Sequence, residues 1–184
     1  LNWLANNVGK TAEALSTALP ERSDGPSALL FLPYLSGERT PHNDVKPRGS
    51  FLGLSRGTDT AGLCQSVMEG VSFAMRDCYE ALRSTGTELT DLLAIGGGSR
   101  SGFWLQTMAD TLGIPLHLPG KGDFGAAMGA ARLAMTGVEG QSPQSVMLPP
   151  PIERTFEPRT KLRDAYEASY LRFTKSYSAL KEVL

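Results

Sequence analysis

Three consecutive glycines, Gly96, Gly97 and Gly98, followed by Ser99, are the residues whose type and spacing point most directly to ligand contact. They follow a short apolar run, Leu92, Leu93, Ala94 and Ile95, and precede a helix-compatible segment that starts at Gly102. Strand, glycines, helix is the order in which an α/β protein brings bare backbone up to a ligand. Glycine leaves no Cβ in the way, and the start of the helix offers N–H groups with no partner inside the helix. Three sharper templates fail. A dinucleotide fingerprint would place glycines at 96, 98 and 101 and an acid at the end of the next strand, but position 101 is Ser101 and that strand ends on Leu118. Arg100 and Ser101 interrupt the Gly-Lys-Ser/Thr ending of a phosphate-binding P-loop. A nucleophile elbow on Ser99 lacks its second glycine, because Ser101 stands there. What remains is binding through backbone.

A second glycine-punctuated turn, Gly120 to Gly129 (GKGDFGAAMG), leads into a small-residue helix. Asp123 is placed to cap that helix, a reading preferred to a metal or catalytic carboxylate because no second acid stands nearby. Lys121 reads as a solvated lysine rather than a phosphate ligand. The face made of Gly125, Ala126, Ala127, Gly129, Ala130 and Ala131 suits close helix packing and a flat pocket wall alike. Arg39 and His42 lie in the polar loop Leu35–Gly49 (LSGERTPHNDVKPRG), and two readings of them stand level. They are cleft residues, with Arg39 near phosphate, or they make a salt bridge and a turn hydrogen bond within the loop. Glu69, on a mostly apolar helix face, is expected to bond a neighbouring loop. Trp104, just after the glycines, is expected to pack in the core rather than stack on a base.

Composition excludes several function classes. Lys and Arg number 18 against 19 Asp and Glu, a net charge of −1, which provides no field for nucleic acid or an anionic membrane. Cys64 and Cys78 fall on one expected helix, too far apart to form a disulfide, so both are expected to be reduced. With only two histidines, His42 and His117, and no Cys pair at ligand spacing, no metal site is expected. No apolar run is long enough to span a membrane, no signal peptide is visible, and a cytoplasmic location is expected. A hydrophobic fraction of 41% over 184 residues suits one soluble core. The chain opens on Leu1 inside a helix-like stretch, so a piece of a longer protein is expected.

The elements that must position these residues follow from periodicity and caps. Apolar residues at 1, 4, 8, 12, 15 and 19 predict one helix over Leu1–Ala18, with a linker from Pro20 to Pro26. Ala28–Tyr34 and Ser50–Leu54 read as strands flanking the polar loop. A long helix over Thr60–Ser84, capped by Thr58 or Asp59 and stopped by Gly86, carries a broad apolar face. Strand Leu92–Ile95, helix Gly102–Leu112 and strand Ile114–Leu118 follow, with Gly113 and Pro115 ending that helix. The small-residue helix runs to Gly137, a proline-rich linker (Pro143, Pro149, Pro150, Pro151) comes next, and a C-terminal helix covers about Thr160–Val183. Strands alternating with helices predict an α/β domain.

The stretch IGGGSRSGFWLQTMADTLGIPLHLP, followed by GDFGAAMGAARLA, resembles the C-terminal domain of the FGGY carbohydrate kinases. FLPYLSGERTPH, GSFLGLSRG and VMEGVSFAMRD are similar to the xylulose-phosphorylating branch of that family, and the resemblance covers essentially the whole chain. It implies an α/β fold, an incomplete actin-like (ribonuclease H-like) ATPase domain with a mixed sheet flanked by helices and a C-terminal helix. It implies a division into residues 1–27, an N-terminal helix and linker, 28–138, the nucleotide-binding domain, and 139–184, a proline-rich linker and C-terminal helix. It further implies ATP and Mg, a pentulose substrate bound mainly by upstream parts, conversion of D-xylulose to xylulose 5-phosphate, and room for a homodimer. Gly96, Gly97, Gly98, Ser101 and Asn2 would bind the nucleotide, while the two readings of Arg39 and His42, cleft residues or loop-internal contacts, stay level. No catalytic residue is implied within the chain, because the family's aspartate base, its phosphate-binding loop and the first strands of the domain's sheet lie upstream. Gly62 departs from a family signature that has a polar or acidic residue there. The alternatives are another FGGY sugar or polyol kinase, or a non-catalytic actin-fold module that binds nucleotide.

Overall fold

The longest amphipathic stretch of the sequence becomes the spine of the molecule. In a computed structural model that describes residues 1–120 and 125–182, helix α3 covers Thr60–Ser84, as its periodicity predicts. The readings of Lys121 and Asp123 lie outside the described residues. Asp59 caps α3, its carboxylate accepting from the Gly62 N–H at 2.8 Å. Strand β1 (Leu30–Leu32), buried along its whole length, lies against the middle of this helix. Strand β2 (Ser50–Leu52) pairs with it antiparallel, Phe31 opposite Phe51. The two faces of β1 divide the core. Phe31 joins Leu4, Leu15, Val67, Met68 and Phe103 on one side. Leu30 and Leu32 join Phe73 and the aromatic face of the C-terminal helix α7 (Arg163–Lys181), Tyr166, Phe173 and Tyr177, on the other.

A second, three-stranded sheet stands beyond α3. Strand β3 (Leu92–Leu93) runs parallel to β4 (Leu116–Pro119), and β5 (Ile152–Phe156) closes the order β3-β4-β5 antiparallel to β4. Leu92, Leu116 and Phe156 pack on helix α4 (Gly102–Leu112) through Leu105, Ala109 and Leu112. The sheet is mixed, as the resemblance implies, but α4 covers one face, while Leu93 and Ile95 stay exposed. The strands form two separate sheets rather than one.

Other differences have local causes. The expected N-terminal helix is two helices, α1 (Asn2–Asn7) and α2 (Ala12–Thr17). Gly9 takes φ +66 between them, and the Thr11 hydroxyl caps α2 by accepting from the Ala14 N–H at 3.0 Å. The apolar stripe runs on across the break, with Leu4 and Leu15 both buried, so periodicity alone reads through it. The proline-rich linker contains a short helix, α6 (Pro143–Val146), and the strand β5. Only Phe156 of β5 is buried, which leaves no alternation to read. Helix α5 (Ala126–Gly137) buries none of its residues.

Polar fastenings hold the linker to this frame. Glu69 is 2% exposed, and its two carboxylate oxygens share the Ser27 N–H at 2.9 and 3.0 Å while Gln65 Nε2 donates at 2.8 Å. Asp110 accepts from the Arg159 guanidinium at 2.6 and 3.0 Å, and Arg159 reaches the Ser23 carbonyl at 2.6 Å. Burial pushes the Glu69 carboxyl up from its ordinary 4.5 to about 7, against the pull of its hydrogen bonds from Gln65 and Ser27. A folded value raised above the unfolded one gives a contribution that is complete below the unfolded value and lost as pH rises through the folded one. Stability in urea is therefore expected to fall by roughly 3 kcal/mol between about pH 4 and about pH 8 through this group. Glu69→Gln is expected to flatten that slope. A slope that survives the substitution contradicts the assignment.

Candidate functional site

The glycine turn faces α1 and α2 across a cleft of about 610 Å³. Gly96 adopts φ +85 and ψ −176, a conformation suited to glycine, and Gly97–Arg100 follow as a single 3-10 turn. The Ser99 hydroxyl donates back to the Gly96 carbonyl at 2.7 Å and closes the turn. Ser101 caps α4, its hydroxyl accepting from the Trp104 N–H at 3.2 Å. Of the five sequence-predicted nucleotide residues, Asn2, Gly97, Gly98 and Ser101 line this cleft together, and Gly96 heads the turn. A Cβ added at Gly96 or Gly97 would meet nothing within 4 Å, so both present bare backbone to open space.

Several lining residues carry no signal in the sequence. Trp3, Glu13, Ser16 and Thr17 occupy the outer faces of α1 and α2 and become a wall because α2 packs against both α1 and α3. Trp104 packs as expected, its indole N–H donating to the Met68 carbonyl at 3.0 Å, and its ring also lines the cleft. Glu13 and Arg100 are the charged side chains of the lining, one of each sign. A cleft that mixes apolar surface, small polar groups and balanced charge suits a nucleoside better than a polyphosphate. A smaller groove of about 320 Å³ is lined by Arg76, Arg83, Arg159 and Arg163, and Glu80, Glu167 and Asp110 pair with the first three. Among the described residues, no three His, Cys, Asp or Glu side chains gather as a metal site would require.

Arg39 and His42 stand apart from this cleft. His42 stacks on Tyr177 of α7, ring centroids 3.7 Å apart, with Nε2 3.5 Å from the Tyr34 hydroxyl and 3.8 Å from Asp77 Oδ2 of α3. Asp77 in turn accepts from the Tyr170 hydroxyl at 2.7 Å. The histidine thus clasps the loop between α3 and α7. Arg39 is exposed, and among the described residues its guanidinium makes no ion pair. Its neighbour Glu38 accepts instead from the backbone N–H groups of Arg39 and Thr40, at 2.7 and 3.2 Å.

The model of the FGGY family of carbohydrate kinases, C-terminal domain, matches residues 2–138. The chain is 35% identical over 182 residues to xylulose kinase of Escherichia coli (strain K12), covering 98% of this chain and 38% of that one. Among solved structures it is similar to a xyloylose kinase from Brucella ovis, 48% identical with a TM-score of 0.93 over 100% of this chain and 38% of the other. A xylulose kinase from Rhodospirillum rubrum is 27% identical with a TM-score of 0.78, over 99% of this chain and 38% of the other. The chain therefore spans about 38% of the length of these relatives.

Burial holds His42 below its ordinary value of 6.5, and outweighs the pull of Asp77, Glu38 and Asp44 toward the charged form. For a histidine with a depressed folded value, the stabilising contribution is present above the unfolded value and lost as pH falls through the folded one. A proton NMR titration of His42 is expected to give a midpoint below 6.5. The protection of amides in the 38–44 loop, relative to their intrinsic exchange rates, is expected to fall as pH drops through the His42 titration. A midpoint above the ordinary value would mean that Asp77 dominates, and contradicts the clasp as described.

Proposed function

The chain belongs to the FGGY family of carbohydrate kinases, and from that premise we propose that it is the C-terminal, nucleotide-binding part of a pentulose kinase. The complete enzyme transfers the γ-phosphoryl group of ATP to D-xylulose and releases ADP and xylulose 5-phosphate. The observation that carries this reading is the cleft in which Asn2, Gly97, Gly98 and Ser101 come together, with bare backbone at Gly96 and Gly97. In this proposal α1 and α2 belong to the nucleotide-binding unit, because Asn2 and Trp3 supply its second wall.

Each group of the chain then has a task. The cleft takes the adenosine, its walls excluding water from the base, and the phosphates extend past Gly96 and Gly97 toward the part of the enzyme that holds the sugar. Transfer of this kind depends on holding the γ-phosphoryl in line with the attacking hydroxyl and on stabilising its charge. The aspartate that takes the proton from the sugar hydroxyl lies upstream in the family, and no acid of the described residues stands in this cleft except Glu13. Magnesium accompanies ATP. The ion would be carried on the phosphates, as is usual for Mg sites with few protein ligands. No helix of the described residues is long and apolar enough to cross a membrane.

The chain alone is expected to make no ADP in response to D-xylulose. Joined behind the upstream portion of the Brucella ovis kinase, in exchange for the segment it matches, it is expected to restore sugar-dependent ADP release in a coupled assay. In that chimera Gly97→Val is expected to raise KM for ATP by about tenfold or more with little change in KM for the sugar. A folded chimera without activity, or sugar-dependent turnover by the chain alone, overturns the proposal.

A further inference from the structure

The three glycines of the turn do not face the same surroundings. A Cβ at Gly96 or Gly97 would meet open space, but at Gly98 it would stand 3.1 Å from Cζ3 and 3.3 Å from Cε3 of the Trp104 ring. That spacing is tighter than nine in ten real Cβ contacts, so a side chain there would fit only if the indole edge gave way by a few tenths of an ångström. The same indole is fixed at its other end by the hydrogen bond from Nε1 to the Met68 carbonyl, in the middle of α3. Its backbone N–H is held by the Ser101 hydroxyl, at the end of the turn itself. Trp104 therefore ties the turn, the first turn of α4 and the spine helix together, and the width of one indole sets the height of the turn above α3.

From this we infer that Trp104 is a positioning residue of the nucleotide cleft, and that the glycines divide their work. Gly98 makes room for Trp104, while Gly96 and Gly97 remain for the ligand. The inference rests on the nucleotide reading of the cleft. It assigns Trp104 a role that neither core packing alone nor stacking on the base would give it: the indole holds the backbone that the ligand meets.

The test uses the active chimera described above. Trp104→Phe keeps a ring but loses the N–H to Met68, and Gly98→Ala pushes the ring aside. Each is expected to raise KM for ATP by about tenfold while kcat and KM for the sugar stay within about twofold. Combined, the two are expected to cost less than the product of their separate effects, because the smaller phenyl ring relieves the added methyl. Gly97→Ala combined with Trp104→Phe is expected to show no such relief. A second readout needs no substitution at either position. In protein labelled with fluorotryptophan, with Trp3→Phe used to tell this chain's two tryptophans apart, the Trp104 resonance is expected to shift on saturation with ADP. An inactive but folded chimera would overturn the nucleotide reading itself. An active chimera in which KM for ATP is unmoved by both substitutions, or in which ADP leaves the Trp104 resonance where it was, overturns the positioning role and leaves the nucleotide reading standing.

Discussion

The close approach of α3 to β1 at Gly70 is the contact on which the rest of the molecule depends. A Cβ at that position would stand far inside van der Waals contact with the Phe31 carbonyl oxygen, so the helix reaches the strand only because no side chain intervenes. Once α3 lies there, its neighbouring residues become fixed anchoring points. The Met68 carbonyl receives the Trp104 indole N–H and so locates the glycine turn. Glu69 receives the Ser27 N–H and so locates the linker from the N-terminal helices. Further along, Asp77 receives the Tyr170 hydroxyl and faces His42, which sets the 38–44 loop against α7. Cleft, linker and loop are thus all referred to one helix.

The sequence was most legible where caps mark the ends. α3 begins where the Asp59 cap predicts and α4 ends where Gly113 predicts, because each of those residues starts or ends a helix by a local interaction, whereas the Ser101 cap of α4 emerges only in the structure. It was least legible where an apolar pattern spans a break or is absent. The stripe across Gly9 hid the division into α1 and α2, and a single inward residue, Phe156, hid β5. The partner of Glu69 was foreseeable in kind, since a buried carboxylate needs donors, but not in identity. The grouping of Asn2 with the glycines came from family resemblance rather than from spacing. Trp3 and Glu13 had no signal at all, because they lie on outer helix faces that become a wall only in the folded chain. The stack of His42 on Tyr177 joins residues far apart in sequence, and no local pattern announces it.

On the proposed function, the cleft is one side of a site. Its lining carries one acid and one base, its backbone is bare at Gly96 and Gly97, and the chain spans about 38% of the length of its relatives. On the proposed function, this part holds the nucleoside and sets its height, while the proton transfer and the sugar belong to the remainder. That division explains why the chain has a well-built glycine turn and no gathered set of acids among its described residues. In the arginine-lined groove, three of the four guanidinium groups, those of Arg76, Arg83 and Arg159, are already paired with carboxylates.

The central claim is that nucleotide occupies the cleft between the glycine turn and the first two helices. Photolabelling of the chimera with an azido-adenine analogue of ADP, followed by peptide mapping, tests it most directly. The account predicts adducts within residues 1–17 and 96–104 of this chain, suppressed by excess ATP. Adducts confined to residues 76–83 and 158–167, which line the arginine groove, would contradict it.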